Sequence, residues 1–251
     1  MKNIFIEPKS LERKYQKLAR LGSELGVPVP ECFLEMKVTM PAGKIVHHHK
    51  QRSHSWNRNA YNIMFAQLSS QPSMDNIFGA GHINFKDISG SAIHCANGMI
   101  GHNATGTVSG GLQNYNSAGF GYLGGAGVNN AGIVIGSGIN AEDFEGYSLQ
   151  TIITNGSGAG QMSFVASEAH STTYNAGTRT LTNTLVRYFN NNSSGDVTVN
   201  EVGIYSWVVN GYIGGNQYRV MVTRDKLGSP VVIPASGQLK ITYTVSLVYP
   251  A

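Results

Sequence analysis

Charge is scarce in this sequence. Only 13% of its 251 residues are Asp, Glu, Lys or Arg, against about a quarter in an ordinary globular chain. Cysteine is nearly absent: Cys32 and Cys95 are the only two. Two cysteines exclude a disulfide framework and make a reducing compartment the expectation. No apolar run approaches the ~20 residues that a membrane-spanning helix needs. The opening "MKNIFIEP" has an apolar run of three residues before Glu7 and Pro8, which is too short for a secretory signal. A cytosolic, non-membrane product is the expectation. What is abundant is Gly, at 31 residues, together with Asn, Ser and Thr. That mixture suits a β-rich, loop-rich fold, and the regular apolar strands argue against disorder. At this length the chain can bury a substantial core without staples.

The charge is also uneven. Residues 1–60 hold eleven Lys or Arg against five Asp or Glu, and residues 61–251 hold seven against nine. A basic front end fits an acidic partner, whether nucleic acid, lipid or protein, and equally fits a solvated helix face.

"KSLERKYQKLARLGSELGVPVP" predicts a helix with Ser10 as cap. Leu11, Tyr15, Leu18, Leu21 and Leu25 form one apolar stripe, and Gly26 and Pro28 end it. "ECFLEMKVTMPAGKIVHHHKQRSHSW" predicts two short strands joined at "PAG". "SHSWNRNAYNIMFAQLSSQP" predicts a second helix, capped by Ser55, with Trp56, Ala60, Ile63, Met64 and Leu68 facing inward. Twenty glycines fall in residues 79–160, a composition for tight turns and close backbone approach. The expectation there is a Gly-rich arm, with "AGIVIGSG" as a core strand. From residue 147 onward, strands recur at sandwich-like spacing. In "QLKITYTVSLVY", Ile241, Tyr243, Val245, Leu247 and Tyr249 alternate with mostly Thr and Ser, the period of a half-buried strand. Hairpins are expected to pair 180–190 with 197–207 and 218–225 with 239–249. The domain reading is an N-terminal attachment region (1–72), a Gly-rich arm or insertion (73–130) and a β-sandwich body (131–251).

Several motifs carry chemistry only on paper. "HHHKQRSH" offers His47, His48, His49 and His54. On a strand, His47 and His49 share a face and His48 leaves it, so convergence on a zinc ion is not expected. A polar, pH-sensitive contact is. "GFGYLG", Gly119 to Gly124, matches a dinucleotide-binding glycine pattern but lacks the strand–turn–helix setting. Cys95, with His94 and His102, lacks any sign of spatial convergence for a thiol nucleophile. Glu142, Asp143 and Glu145 cluster without calcium-loop spacing.

The most informative stretch is "DVTVNEVGIYSW", residues 196–207. It reads as an apolar strand with a carboxylate, Glu201, at its centre. The alternation places Val197, Val199, Glu201, Gly203, Tyr205 and Trp207 on one face. A buried carboxylate needs a partner, and the Arg fork is suited to two oxygens. Arg187 and Arg224 lie in flanking strands, so Glu201 is expected to pair with one of them. A catalytic role would need a second acid or a His in the same cleft. Asp196, Asp225 and His170 are poor suppliers, at strand ends or in a loop.

The same residues carry a resemblance. Arg187 and Phe189, the run Glu201, Val202, Gly203 and Tyr205, then Arg224 and Asp225, then Pro230, Val231, Gly237, Leu239 and Tyr243 form a pattern that resembles one in structural proteins of tailed bacteriophages. "IVIGSG" with "EDFEGYSL" resembles the part upstream of it, and "RSHSWNRN" a lead-in. The resemblance runs over roughly residues 130–250 and 45–70. It implies a virion component assembled in the bacterial cytoplasm, with no known active site in this region.

The expected fold class is mainly β: an antiparallel, jelly-roll-like sandwich with an N-terminal helix and a Gly-rich arm. The expected function is a non-enzymatic structural part of a phage head, neck or tail, without cofactor or metal. Its partners would be capsid, neck or tail subunits and further copies of itself, in a trimer or ring, with no membrane or nucleic acid. A receptor- or glycan-binding tip is the alternative, with Tyr115, Tyr122, Tyr205, Trp207 and Tyr212 as candidates. A glycan-cleaving enzyme would need two carboxylates roughly 5–9 Å apart.

Overall fold

The computed structural model describes residues 4–5, 9–66, 84–94, 122–209 and 217–250. In chain order these form β1 (Ile4–Phe5), α1 (Lys9–Leu25), β2 (Glu31–Thr39), β3 (Ile45–Arg52), α2 (Arg58–Ala66), β4 (Asn84–Lys86), β5 (Ala92–His94), β6 (Gly132–Gly136), β7 (Ser163–Phe164), β8 (Ser171–Asn175), β9 (Thr180–Asn190), β10 (Val197–Val209), β11 (Gln217–Ile233) and β12 (Gln238–Val248). Seven strands make the larger sheet, in the order β1-β3-β2-β12-β9-β7 with β8 also on β9. The smaller sheet is β11-β10-β6, and β4-β5 is a separate hairpin. All pairings are antiparallel except β1 with β3.

The mainly β, antiparallel, sandwich-like body is as expected; the strand order alone does not make it a jelly roll. Leu34, Met36 and Val38 of β2, Leu239, Ile241 and Tyr243 of β12 and Phe189 of β9 are fully buried. They join one core with Ile133, Ile135, Val202, Val220 and Val231 of the smaller sheet. Burial of each such apolar side chain stabilises by about 1.5–3 kcal/mol before chain entropy opposes it.

Neither expected hairpin forms. Residues 180–190 pair with β12, and β11 pairs with β10. The turn-like segments 191–196 and 234–237 carry the chain from one sheet to the other. Asn191 ties both crossings together. Its amide donates to the carbonyls of Gly195 and Ile233 at 2.8 Å each. Its backbone N–H donates to Gly237 O, and its own carbonyl accepts from Ser236 N.

β2 and β3 come from the region expected to serve attachment, yet they are strands of the larger sheet. β2 lies directly against β12, with Thr39 opposite Gln238. β6, the expected core strand, is buried along its whole length. Most of the expected Gly-rich arm lies outside the described residues.

Both helices depart slightly from expectation. α1 begins at Lys9, so Ser10 sits inside it. It ends in a Schellman turn: Gly26, at φ 65°, donates to Ser23 O and Val27 N donates to Gly22 O. α2 is capped by Asn57 rather than Ser55; the Asn57 side chain accepts from Ala60 N at 3.2 Å. Ser55 is instead extended, its carbonyl accepting from Arg224 N at the outer edge of β11. Ala60 and Ile63 are buried, but Met64 is 59% exposed; Leu68 lies outside the described residues. No helix among the described residues is long and apolar enough to cross a membrane.

Candidate functional site

Glu201 is fully buried and has a guanidinium partner. Arg224 Nε donates to Glu201 Oε2 at 2.6 Å. Three backbone N–H groups also donate to the carboxylate: Gly138 at 3.1 Å, Gln150 at 3.1 Å and Thr151 at 2.9 Å. The other arms of Arg224 donate to the carbonyls of Ala141 and Asn140. Glu201 and Arg224 together fasten the loop between β6 and β7 onto the smaller sheet. The loop approaches so closely that a Cβ on Gly138 would lie 2.5 Å from Glu201 Oε1.

The strict alternation expected along β10 does not hold. The β10–β11 register shifts between Val199 and Glu201, as in a β-bulge. Asn200 and Glu201 then both engage the 137–151 loop, Asn200 through a 2.8 Å bond to Ser137 O. Tyr205 is on the same side; its hydroxyl accepts from Leu149 N at 2.7 Å.

Arg187 does not pair with Glu201. It is fully buried and directs all five donors at backbone carbonyls. Nε donates to Val165 O, Nη1 to Ala131 O and Ile133 O, and Nη2 to Gly125 O and Val128 O, at 2.6–2.9 Å. Its guanidinium also stands over the Phe164 and Phe189 rings, 5.0 and 5.5 Å from their centroids. Burial lowers its pKa to about 10, so the cation persists at neutral pH. The expected ion pair therefore involves Arg224, and Arg187 is a clamp on the 125–133 backbone.

Asp225 was expected at a strand end. It is instead fully buried within β11. Adjacent strand residues face opposite ways, so Arg224 serves the loop and Asp225 serves the other sheet. Ser53 Oγ and Tyr243 OH donate to Asp225 Oδ2 at 2.7 and 2.8 Å. Its Oδ1 has no hydrogen-bond partner among the described residues. Burial raises the Asp225 pKa to about 6, with the Ser53 and Tyr243 bonds opposing. Cys32 lies in the same cluster; burial and Asp225 push its pKa up to about 12. Such a thiol is a poor nucleophile. The sequence signal for it is the adjacent pair Arg224–Asp225 in the strand "QYRVMVTRD".

The histidines divide as the strand period requires. His47 and His49 stack with centroids 6.5 Å apart. His48 turns away, its Nε2 lying 2.7 Å from Glu35 Oε1. His49 is buried and bonded to Gln51, and burial lowers its pKa. His54 contacts Glu142 at 3.5 Å. No group of three or more His, Cys, Asp or Glu among the described residues is placed to hold a metal ion. Glu145 pairs with Arg58 and Lys86. Cys95, His102, Gly119, Tyr115 and Tyr212 lie outside the described residues.

The aromatic candidates do not assemble into an open platform among the described residues. Tyr205 is fully buried, and the Arg219 guanidinium covers the Trp207 ring at 3.4 Å. On α1, Leu11 and Tyr15 are half-buried, whereas Leu18, Leu21 and Leu25 are exposed. The helix is held at its start: Glu12 and Glu31 pair with Arg52, and Arg52 stacks between Tyr15 and Phe33, 4.7 Å from each centroid. Comparisons of the chain with protein-family models, with curated proteins and with solved structures found no match.

Proposed function

We propose that this chain is a non-enzymatic structural component of a tailed-phage particle, attached to head, neck or tail through its N-terminal region. One observation carries the reading. The ionisable residues that bear the resemblance to phage structural proteins are engaged inside the chain. Glu201 and Arg224 hold a loop on the smaller sheet, Arg187 holds a backbone turn, and Asp225 bonds across the two sheets to Tyr243. Such a pattern serves a rigid, load-tolerant body. The exposed end of the apolar stripe on α1 supports attachment through the helix.

Quantitative mass spectrometry on purified particles of the encoding phage tests this. The chain should be present in a fixed integer ratio to the major shell protein: hundreds of copies for head decoration, a small multiple of three or six for neck or tail. A chain absent from washed particles overturns the reading.

A further inference from the structure

α1 is amphipathic over its whole length, but the body covers only its beginning. Leu11 is half-buried, and Tyr15 packs near Arg52 and His54, with the Tyr15 and His54 rings 6.3 Å apart. The stripe then continues past the body's edge through Leu18, Leu21 and Leu25, of which Leu25 is 75% exposed, and into Val27 at 57%. The chain folds back so tightly that a Cβ on Gly22 would meet Val29 at 2.5 Å. The flank of the stripe is basic. Lys14 and Lys17, one turn before Leu18 and Leu21, have no carboxylate partner among the described residues, whereas Glu12 and Glu24 are already paired.

A second exposed apolar surface lies on the same chain, with the opposite rim. Tyr61 and Met64, one turn apart on α2, are 50% and 59% exposed, and Phe144 is 51% exposed. The Tyr61 and Phe144 rings are 5.8 Å apart. The rim carries Glu142, Asp143 and Glu145. Arg58 and Lys86 answer Glu145 and His54 answers Glu142, leaving Asp143 without a cation among the described residues.

We infer that the free half of α1 in one copy docks on the Tyr61–Met64–Phe144 surface of a second copy. This rests on the attachment role proposed above and names the adjacent subunit as another copy of the chain. Apolar stripe meets apolar surface, and the basic flank meets the acidic rim. Desolvated aromatic and aliphatic anchors supply affinity, while the charges set orientation and encounter rate. Because helix and seat are different surfaces, the contact is heterologous and repeats into a ring if the rotation closes.

Sedimentation velocity on the purified full chain tests it, using two variants made at exposed positions, Leu21→Asp and Phe144→Asp, with Leu25→Ser as a milder second helix variant. All should keep the wild-type melting temperature. The wild type should self-associate, less so at high salt. Each variant alone should associate at least about tenfold more weakly, as expected when an anchor residue is lost. Mixing Leu21→Asp with Phe144→Asp should restore a dimer, because one copy keeps its seat and the other its helix. A monomeric wild type overturns the inference, as does dissociation by the helix variants alone, or a mixture that stays monomeric. Those failures leave the virion reading untouched, since that reading depends on the chain's presence in the particle.

Discussion

Arg224 stands directly opposite Gly203 on the neighbouring strand, yet its guanidinium reaches diagonally to Glu201 at 2.6 Å. Gly203 itself packs against Leu149 of the loop. A Cβ there would lie 2.9 Å from Leu149 Cδ2. The pair thus follows the register shift between Val199 and Glu201.

Breaking this pair leaves a buried charge without its counterpart, which costs about 3–5 kcal/mol. Glu201→Gln should therefore lower the urea midpoint strongly. Arg224→Met should do likewise, and the double variant should lose clearly less than the sum, because the two residues act as one unit. Additive losses in equilibrium unfolding would contradict the pairing.

Arg187→Lys keeps the charge but replaces five donors in a planar fork with three. At least two carbonyls then lose their donor, each worth about 1–3 kcal/mol when buried. The expected result is a stability loss of about 3 kcal/mol. Amide exchange should accelerate first in residues 124–133 and later in β10.

Asp225 carries a pH signature. Its folded pKa is raised to about 6, above the ~3.9 expected in an unfolded chain. Folding therefore favours the protonated form. The stabilisation is fully present below about pH 4 and is lost as pH rises towards 6. The difference corresponds to about 3 kcal/mol. Asp225→Asn should match the wild type near pH 4 and exceed it in stability at pH 7. Unfolding free energies measured at several pH values check both the sign and the window.

Gly138→Ala places a methyl 2.5 Å from both Glu201 Oε1 and Gln150 Cβ. The 137–151 loop must lift. The variant should lose about 1–3 kcal/mol, as overpacked sites do, and protease cleavage should appear within 137–151 before any other described segment.

Parts of this arrangement are legible in the residues. The five apolar-or-Gly positions of β6 and the alternation at Leu239, Ile241 and Tyr243 announce buried strands. A carboxylate amid apolar neighbours announces a cation, because an unpaired charge there is too costly. The choice between Arg187 and Arg224 is not legible. It depends on the register shift between Val199 and Glu201, which aims the carboxylate at the 137–151 loop, and on strand order. The strand order itself is not legible, because "NNSSGD" has the same composition whether the chain turns back in one sheet or crosses to another. Asn191, bonded to both crossings, makes the difference, and its role depends on contacts more than forty positions away. The Asp225 cluster was missed for a similar reason: Ser53 lies 172 positions away in the sequence.

The pairing of Glu31–Thr39 with residues 238–246 has a consequence for the chain during its synthesis. β2 leaves the ribosome about 200 residues before its central neighbour, a delay of roughly ten to forty seconds at ordinary translation rates. Until then Leu34, Met36 and Val38 can be sheltered only by β3 and whatever non-native surface is at hand. Contacts so distant in sequence also slow the final closure, because loop entropy is lost before they form. The larger sheet is thus completed only after β12 has emerged, and chains cut short before β12 should accumulate as aggregates and not as partial folds.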